Sequence, residues 1–288
     1  MRKIFLAGTA MLLAGVGVAG AADFPAPYVE APVYEAPVSQ PVAAAGGWYL
    51  RGDAGYSWNK MKGADFWQGV TGTAGWAPFT SGTLRGSYTI GAGVGYQATR
   101  YLRGDLTVDY FSKANFRGST SGVQGGANFT STDSSSVSGF GLLANAYVDF
   151  YKTGRYTFYA GGGLGGTRVK WDHLSNTSCP DAGGACNQTV FHDGRSSWRF
   201  TYALMAGASV DVTCNLKADV GYRYRRVSGG EMFGFPRAPA AGARAGTQVY
   251  DRGFNSHEVR GGLRYGFGGC AEQEVYIEPA PIMPAVYK

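Results

Sequence analysis

Three very short connectors alternate with four long polar ones between amphipathic stretches, and this alternation is the feature that most restricts the fold. The short connectors are 97–100, 152–154 and 212–215; the long ones are 59–84, 112–136, 172–195 and 228–253. A soluble sheet sandwich has no reason to sort its turns by length. A closed barrel crossing a bilayer does, with tight turns on one rim and long loops on the other.

The N-terminus is set aside first. Arg2 and Lys3 precede an apolar run over 4–18 and the small residues Ala19, Gly20 and Ala21. That pattern predicts a secretory signal peptide over 1–21, cleaved after Ala21, with Ala22 as the alternative. No other stretch approaches the roughly 20 apolar residues that a spanning helix needs. Hydrocarbon leaves no backbone group unpaired, so an exported chain without a helical anchor crosses a membrane only as a closed barrel. The 46 Gly, 19 Tyr, 16 Phe and 6 Trp suit a sheet with aromatic rims. The net charge of +6, which falls once Arg2 and Lys3 are removed, is too small and too dispersed to suggest nucleic acid.

The stretch 100–111 alternates with period two. Leu102, Gly104, Leu106, Val108 and Tyr110 take one face; Arg103, Asp105, Thr107 and Asp109 take the other. The stretch from Leu216 sets Ala218, Val220, Tyr222 and Tyr224 against Lys217, Asp219, Arg223 and Arg225. The last opposes Val259, Gly261, Leu263, Tyr265 and Phe267 to Glu258, Arg260, Gly262 and Arg264. The first sets Trp48, Leu50, Ala54, Tyr56 and Trp58 against Tyr49, Arg51, Asp53 and Ser57, and the same pattern recurs over 84–97, 137–151, 155–171 and 197–212. Strands of about 12 residues exceed the ~9–11 needed to cross tilted. An even count returns both ends of the barrel domain to the short-turn, periplasmic side.

The predicted fold class is therefore all-β: an eight-stranded antiparallel up-and-down transmembrane β-barrel over 47–267. A Pro/Ala-rich periplasmic linker over 22–46 precedes it and a periplasmic tail over 268–288 follows. Trp48, Tyr96, Phe150, Tyr156 and Phe267 at the turn end, with Trp58, Tyr110 and Trp198 towards the loops, suit interfacial girdles. Alternation alone leaves a soluble β-sandwich open.

The polar face supplies Arg51, Arg103, Arg199, Lys217, Arg223, Arg260 and Arg264, together with Asp53, Asp105, Asp109, Asp149, Asp211, Asp219 and Glu258. An eight-strand barrel is only wide enough for side chains to fill it. Buried charges must pair, so these residues are expected to form a lumen network that plugs the barrel. Asp105 and Asp109 would otherwise read as an acid/base dyad. No Ser/His/Asp arrangement or ordered metal cluster is evident, only three histidines exist, and neither an enzyme nor a cofactor is expected.

The run Gly161–Gly166 matches G-x-G-x-x-G, yet the sequence continues as a strand rather than opening a helix. Such glycines fit close packing within a strand. Cys179 and Cys186 share the third long loop, and Cys214 and Cys270 fall at the periplasmic rim. An oxidising compartment favours a disulfide in each pair. The rival reading joins His173 and His192 to Cys179 and Cys186 as a metal or haem site, although the spacing fits no standard zinc pattern. Repeated Glu-Ala-Pro-Val at 30–33 and 35–38, and a similar C-terminal tail, read as extended spacers.

Together the opening Gly47-Trp48-Tyr49-Leu50-Arg51-Gly52, the eight-strand layout and the final strand ending at Phe267 resemble the alphaproteobacterial small outer-membrane β-barrel ("porin family") proteins. The resemblance covers about 47–267. Within it, Gly262, Tyr265 and Phe267 resemble the signal read by the barrel-assembly machinery, here followed by a tail rather than the chain end. The resemblance implies a structural protein of the bacterial outer membrane, in contact with outer-membrane lipids and lipopolysaccharide, that supports the envelope and meets host or environment through its loops. It also implies haem binding in some relatives and, in others, a peptidoglycan link through an N-terminal Ala-Asp, which here is Ala22 and Asp23. A small-solute porin is the alternative.

Overall fold

The structure, a computed structural model, describes residues 46–68, 75–236 and 246–268, all within the compact unit Pro41–Lys288. The expected signal peptide, Ala22, Asp23, the Glu-Ala-Pro-Val repeats and Cys270 lie outside the described residues, as do nearly all of the linker and the tail.

Among the described residues there is no helix, and sixteen strands form one antiparallel sheet. They are β1 (Gly47–Met61), β2 (Ala64–Gln68), β3 (Gly75–Pro78), β4 (Ser81–Leu84), β5 (Ser87–Gln97), β6 (Leu102–Ser119), β7 (Ser121–Gln124) and β8 (Ala127–Thr153). The rest are β9 (Tyr156–Trp171), β10 (Leu174–Pro180), β11 (Val190–Gly194), β12 (Ser196–Asp211), β13 (Leu216–Val227), β14 (Gly230–Pro236), β15 (Thr247–Asp251) and β16 (Phe254–Gly266). The long strands pair in sequence, β1 with β5, then β6, β8, β9, β12, β13 and β16, and β16 pairs again with β1. That circuit leaves these eight strands without a free edge.

The short connectors form tight turns for local reasons. Thr99 Oγ1 accepts hydrogen bonds from the Tyr101 and Leu102 amides, and Thr213 Oγ1 does the same for Asn215 and Leu216. These are side-chain mimics of a backbone turn. In the remaining short connector Gly154 supplies a φ of 55°.

The long connectors differ from expectation. The sequence predicts polar loops there, whereas these segments hold β2, β3, β4, β7, β10, β11, β14 and β15 and lengthen β6 and β8 well past the predicted limits. These pieces continue the sheet beyond the alternating stretches, because each keeps its backbone paired to a neighbour: β10 to β8, β11 to β14, β15 to β2. A bulge between Phe111 and Ala114 adds one residue to β6 and aims both Ala114 and Phe116 inwards. There they join Val137, Val169, Trp171, Val227, Met232 and Phe233 in an apolar core at the loop end. Phe116, Trp171 and Phe233 stack mutually at 5.5–6.4 Å.

Candidate functional site

The interior of the strand circuit is built by glycines as much as by charges. On β5 the inward positions beyond Ser87 and Thr89 include Gly91, Gly93 and Gly95. They stand between Asp53, Arg51 and Tyr49 of β1 on one side and Asp109, Thr107 and Asp105 of β6 on the other. A Cβ on Gly93 would sit 2.8 Å from Thr107 Cγ2 and 2.7 Å from the Leu106 carbonyl. With that space left open, Arg51 reaches over β5 and contacts Asp105 at 2.8 Å while also holding Asp53 at 2.8 Å. Gly161 and Gly163 of β9 do the same for Tyr147 and Asn145 of β8. The G-x-G-x-x-G run thus lies inside a strand.

Among the described residues six guanidiniums meet six carboxylates in this interior. Arg260 and Arg223 each contact Asp109 at 2.7 Å, and Arg260 also stands 3.5 Å from Asp53. Arg223 and Arg225 hold Glu258 at 2.6 and 2.8 Å. Towards the turn end Arg103 pairs with Asp149 at 3.1 Å and Arg264 with Asp219 at 3.2 Å. Asn145 donates to Asp105 at 2.7 Å, and Arg51 donates to the Tyr147 hydroxyl at 2.8 Å. The Arg103 guanidinium lies over the Tyr147 and Tyr159 rings at 4.0 and 4.6 Å. A cavity bordered by Arg51, Asp53, Tyr147, Met205, Arg223 and Arg260 offers ≈ 20 Å³ to the centre of a water molecule, enough for about one water.

Three residues predicted for this network sit elsewhere. Arg199 belongs to the loop end, where it forms a two-oxygen ion pair with Asp251 of β15 at 2.7 and 2.8 Å and donates to the Glu231 carbonyl. Its position, near the loop end of β12, lies beyond the zone where carboxylates line the circuit. Lys217 and Asp211 pair at 2.5 Å at the turn rim, each about a quarter to a third exposed. Conversely, Arg225, a polar-face residue in the sequence, is fully buried in the network. Its inward parity was the available signal. Asp105 and Asp109 are held by different arginines, so they form no proton-sharing dyad.

The outward face carries Trp48, Leu50, Leu106, Val108, Leu142, Leu164, Phe200, Leu204, Val220 and Leu263, all exposed. Trp48 stacks on Tyr96 at the turn end, and Phe140 on Trp198 towards the loops. Tyr265 and Phe267, of the expected assembly signal, stack on each other on the same outward side; Gly262 points inwards against Asp53.

At the loop end His192 is buried and His173 exposed, and Cys179 is bonded to Cys186. The four residues of the alternative metal set therefore do not converge as free ligands. Cys214 is disulfide-bonded, its expected partner Cys270 being outside the described residues. His192 Nδ1 lies 3.1 Å from the Gly234 carbonyl oxygen, and burial pushes its imidazole below the ordinary value against that contact. Burial lifts the nearby Asp133 carboxyl above the usual range, although Ser131 and Asn176 both donate to it.

No family model matches the chain. An uncharacterized protein of Brucella abortus (strain 2308) is 40% identical over 287 residues, covering 89% of this chain and 95% of that protein, and a Brucella melitensis protein matches equally. A Rickettsia conorii protein named "Putative adhesin RC1281" is 28% identical over 181 residues, covering 62% of this chain and 67% of its own length. Among solved structures, Neisserial surface protein A overlaps with a TM-score of 0.39 and 18% identity, covering 77% of this chain and 97% of that one. OprG from Pseudomonas aeruginosa overlaps at 0.40 and 12%, covering 77% and 96%. Overlays this loose carry no functional weight.

Proposed function

Since the chain belongs, with its Brucella relatives, to the alphaproteobacterial family of small outer-membrane β-barrel proteins, we propose that it is a plugged eight-stranded transmembrane barrel that braces the envelope and presents its loop end for surface contacts. Its site of residence is the outer membrane. The circuit of long strands is read as the barrel wall, with the exposed leucines, valines and aromatics against acyl chains and the charges inside.

One observation carries this reading: the six-on-six guanidinium–carboxylate network that fills the inward face of the described strand circuit. Each of its guanidiniums has a carboxylate partner, and a charge left unpaired inside the circuit is costly, which supports reading the network as a plug. The apolar core around Trp171 closes the loop end above it. A role in surface contact draws support from the adhesin name of the Rickettsia relative and from the ordered strands at the loop end. Recognition of the last strand by the barrel-assembly machinery, and a peptidoglycan link through Ala22 and Asp23, belong to the same proposal. Muropeptide analysis tests the latter: a fragment linked to Ala22 supports it, and none removes it.

Purified protein in planar lipid bilayers tests the plug. The expected record is a flat baseline without defined conductance steps. Stable, uniform steps would replace this reading with the small-solute porin.

A further inference from the structure

The outward face of the barrel changes character abruptly at one level. On β9 the outward positions run Phe158, Ala160, Gly162, Leu164, Gly166 and then Arg168 and Lys170, both exposed. From Tyr156 to Arg168 a strand rises about 40 Å, or about 30 Å along the axis at the usual tilt, against an apolar band about 25 Å tall. Arg168 and Lys170 therefore stand at the headgroup level of the leaflet nearest the loops.

Their neighbours mark the same level. Arg168 is paired in register with Phe140 of β8 and Trp198 of β12, which stack at 5.2 Å as an interfacial aromatic pair. Lys170 is flanked by Ser138 and Ser196. Among the described residues Arg168 meets a hydroxyl, Ser196 Oγ at 3.5 Å, rather than a carboxylate. Asp172, which Lys170 feels electrostatically, is held directly by Lys113 at 2.7 Å and by Ser136 at 2.6 Å. The rule repeats on other strands: Lys60 follows Trp58, and Arg226 follows Tyr224, at the next outward position. Cations held just above an aromatic row, beside hydroxyls, match an anionic headgroup whose acyl chains lie against the apolar face below.

We propose that Arg168 and Lys170 form a site for the phosphate of a phosphorylated glycolipid of the outer leaflet, with Ser138 and Ser196 at its edge and the Phe140–Trp198 pair beneath the sugar. This rests on the transmembrane reading above and extends it to a specific lipid contact. Arginine supplies a planar fork for phosphate oxygens and lysine a point charge.

The test uses the full mature protein folded in detergent and titrated with bisphosphorylated lipid A, with retention per barrel read by native mass spectrometry. The double variant Arg168→Gln with Lys170→Gln should bind it about thirtyfold more weakly, while dephosphorylated lipid A binds both proteins equally. Lys152→Gln, at the opposite rim, should leave binding unchanged. Inorganic phosphate at the same concentration should not displace the lipid. Equal binding by wild type and double variant, or displacement by inorganic phosphate, overturns the site. Heat-modifiable migration is recorded in parallel. If it persists while lipid binding is indifferent to the substitutions, the site alone fails; if it is absent, the barrel reading fails.

Discussion

Arg223 and Asp109 are 114 positions apart in the chain and meet at 2.7 Å inside the strand circuit, each almost fully buried. Asp109 also holds Arg260 at 2.7 Å, so one carboxylate anchors cations from β13 and β16 to β6. Asp109→Asn removes the charge that serves both. A loss of up to about 3–5 kcal/mol in unfolding free energy is expected in detergent, because Arg223 is left with Glu258 alone and Arg260 with the longer contact to Asp53. Asp211→Asn, at the partly exposed rim pair, should cost no more than about 1 kcal/mol. Urea titration of the two variants against wild type checks this; equal losses would remove the distinction between interior and rim.

Gly93 tests the role of the open track on β5. Valine there would press its side chain against Thr107, the Leu106 carbonyl and the Arg51 stem. Overpacking of this kind costs about 1–3 kcal/mol, and here it also blocks the reach of Arg51 to Asp105. Gly93→Val should fold with a lowered midpoint or fail to assemble, whereas Gly75→Val, with open space around it, should not. An unchanged midpoint for Gly93→Val would contradict this.

The loop-end core is a packing unit of its own. Trp171→Ala empties a fully buried site between Phe116 and Phe233 and should cost about 3–5 kcal/mol locally. The expected result is rapid cleavage by added protease within 172–195, with the heat-modifiable barrel band retained. Simultaneous loss of both would show that core and barrel unfold together.

His192 gives the loop end a pH dependence with a definite sign. Its folded pKa lies below the unfolded value of about 6.5, so the unfolded segment takes up a proton first as pH falls. Stability is full above about 6.5 and declines as pH drops from there towards the depressed folded value. Asp133, raised by burial, acts in the opposite direction, in a window beginning at the ordinary carboxylate value. Protease protection of the loop end should weaken between pH 7.5 and 5.5 in wild type and lose that slope in His192→Gln. A slope that survives the substitution assigns the effect to another group.

The sequence disclosed the circuit strands because lipid outside and charge inside impose opposite demands on alternate residues. The 102–110 stretch shows this plainly, and its inward Arg103, Asp105 and Asp109 all find ion partners in the interior. The strands of the loop end stayed hidden for a physical reason. β10 reads Leu-Ser-Asn-Thr-Ser-Cys-Pro, short and polar, and is held mainly by its ladder to β8. Phe116, Trp171 and Phe233 lie far apart along the chain, and the bulge after Phe111 and the fold of the connectors bring them together. Arg199 was misplaced because its partner Asp251 lies in a segment that shows no period.

The most direct measurement is electrophoresis of the isolated membrane fraction with and without boiling, after extraction in buffer alone and in detergent. The expected result is a protein released only by detergent, migrating as a compact band that shifts on boiling. A freely soluble, monodisperse protein in plain buffer, with a single band indifferent to heat, would contradict the claim that the apolar outward face is seated in lipid.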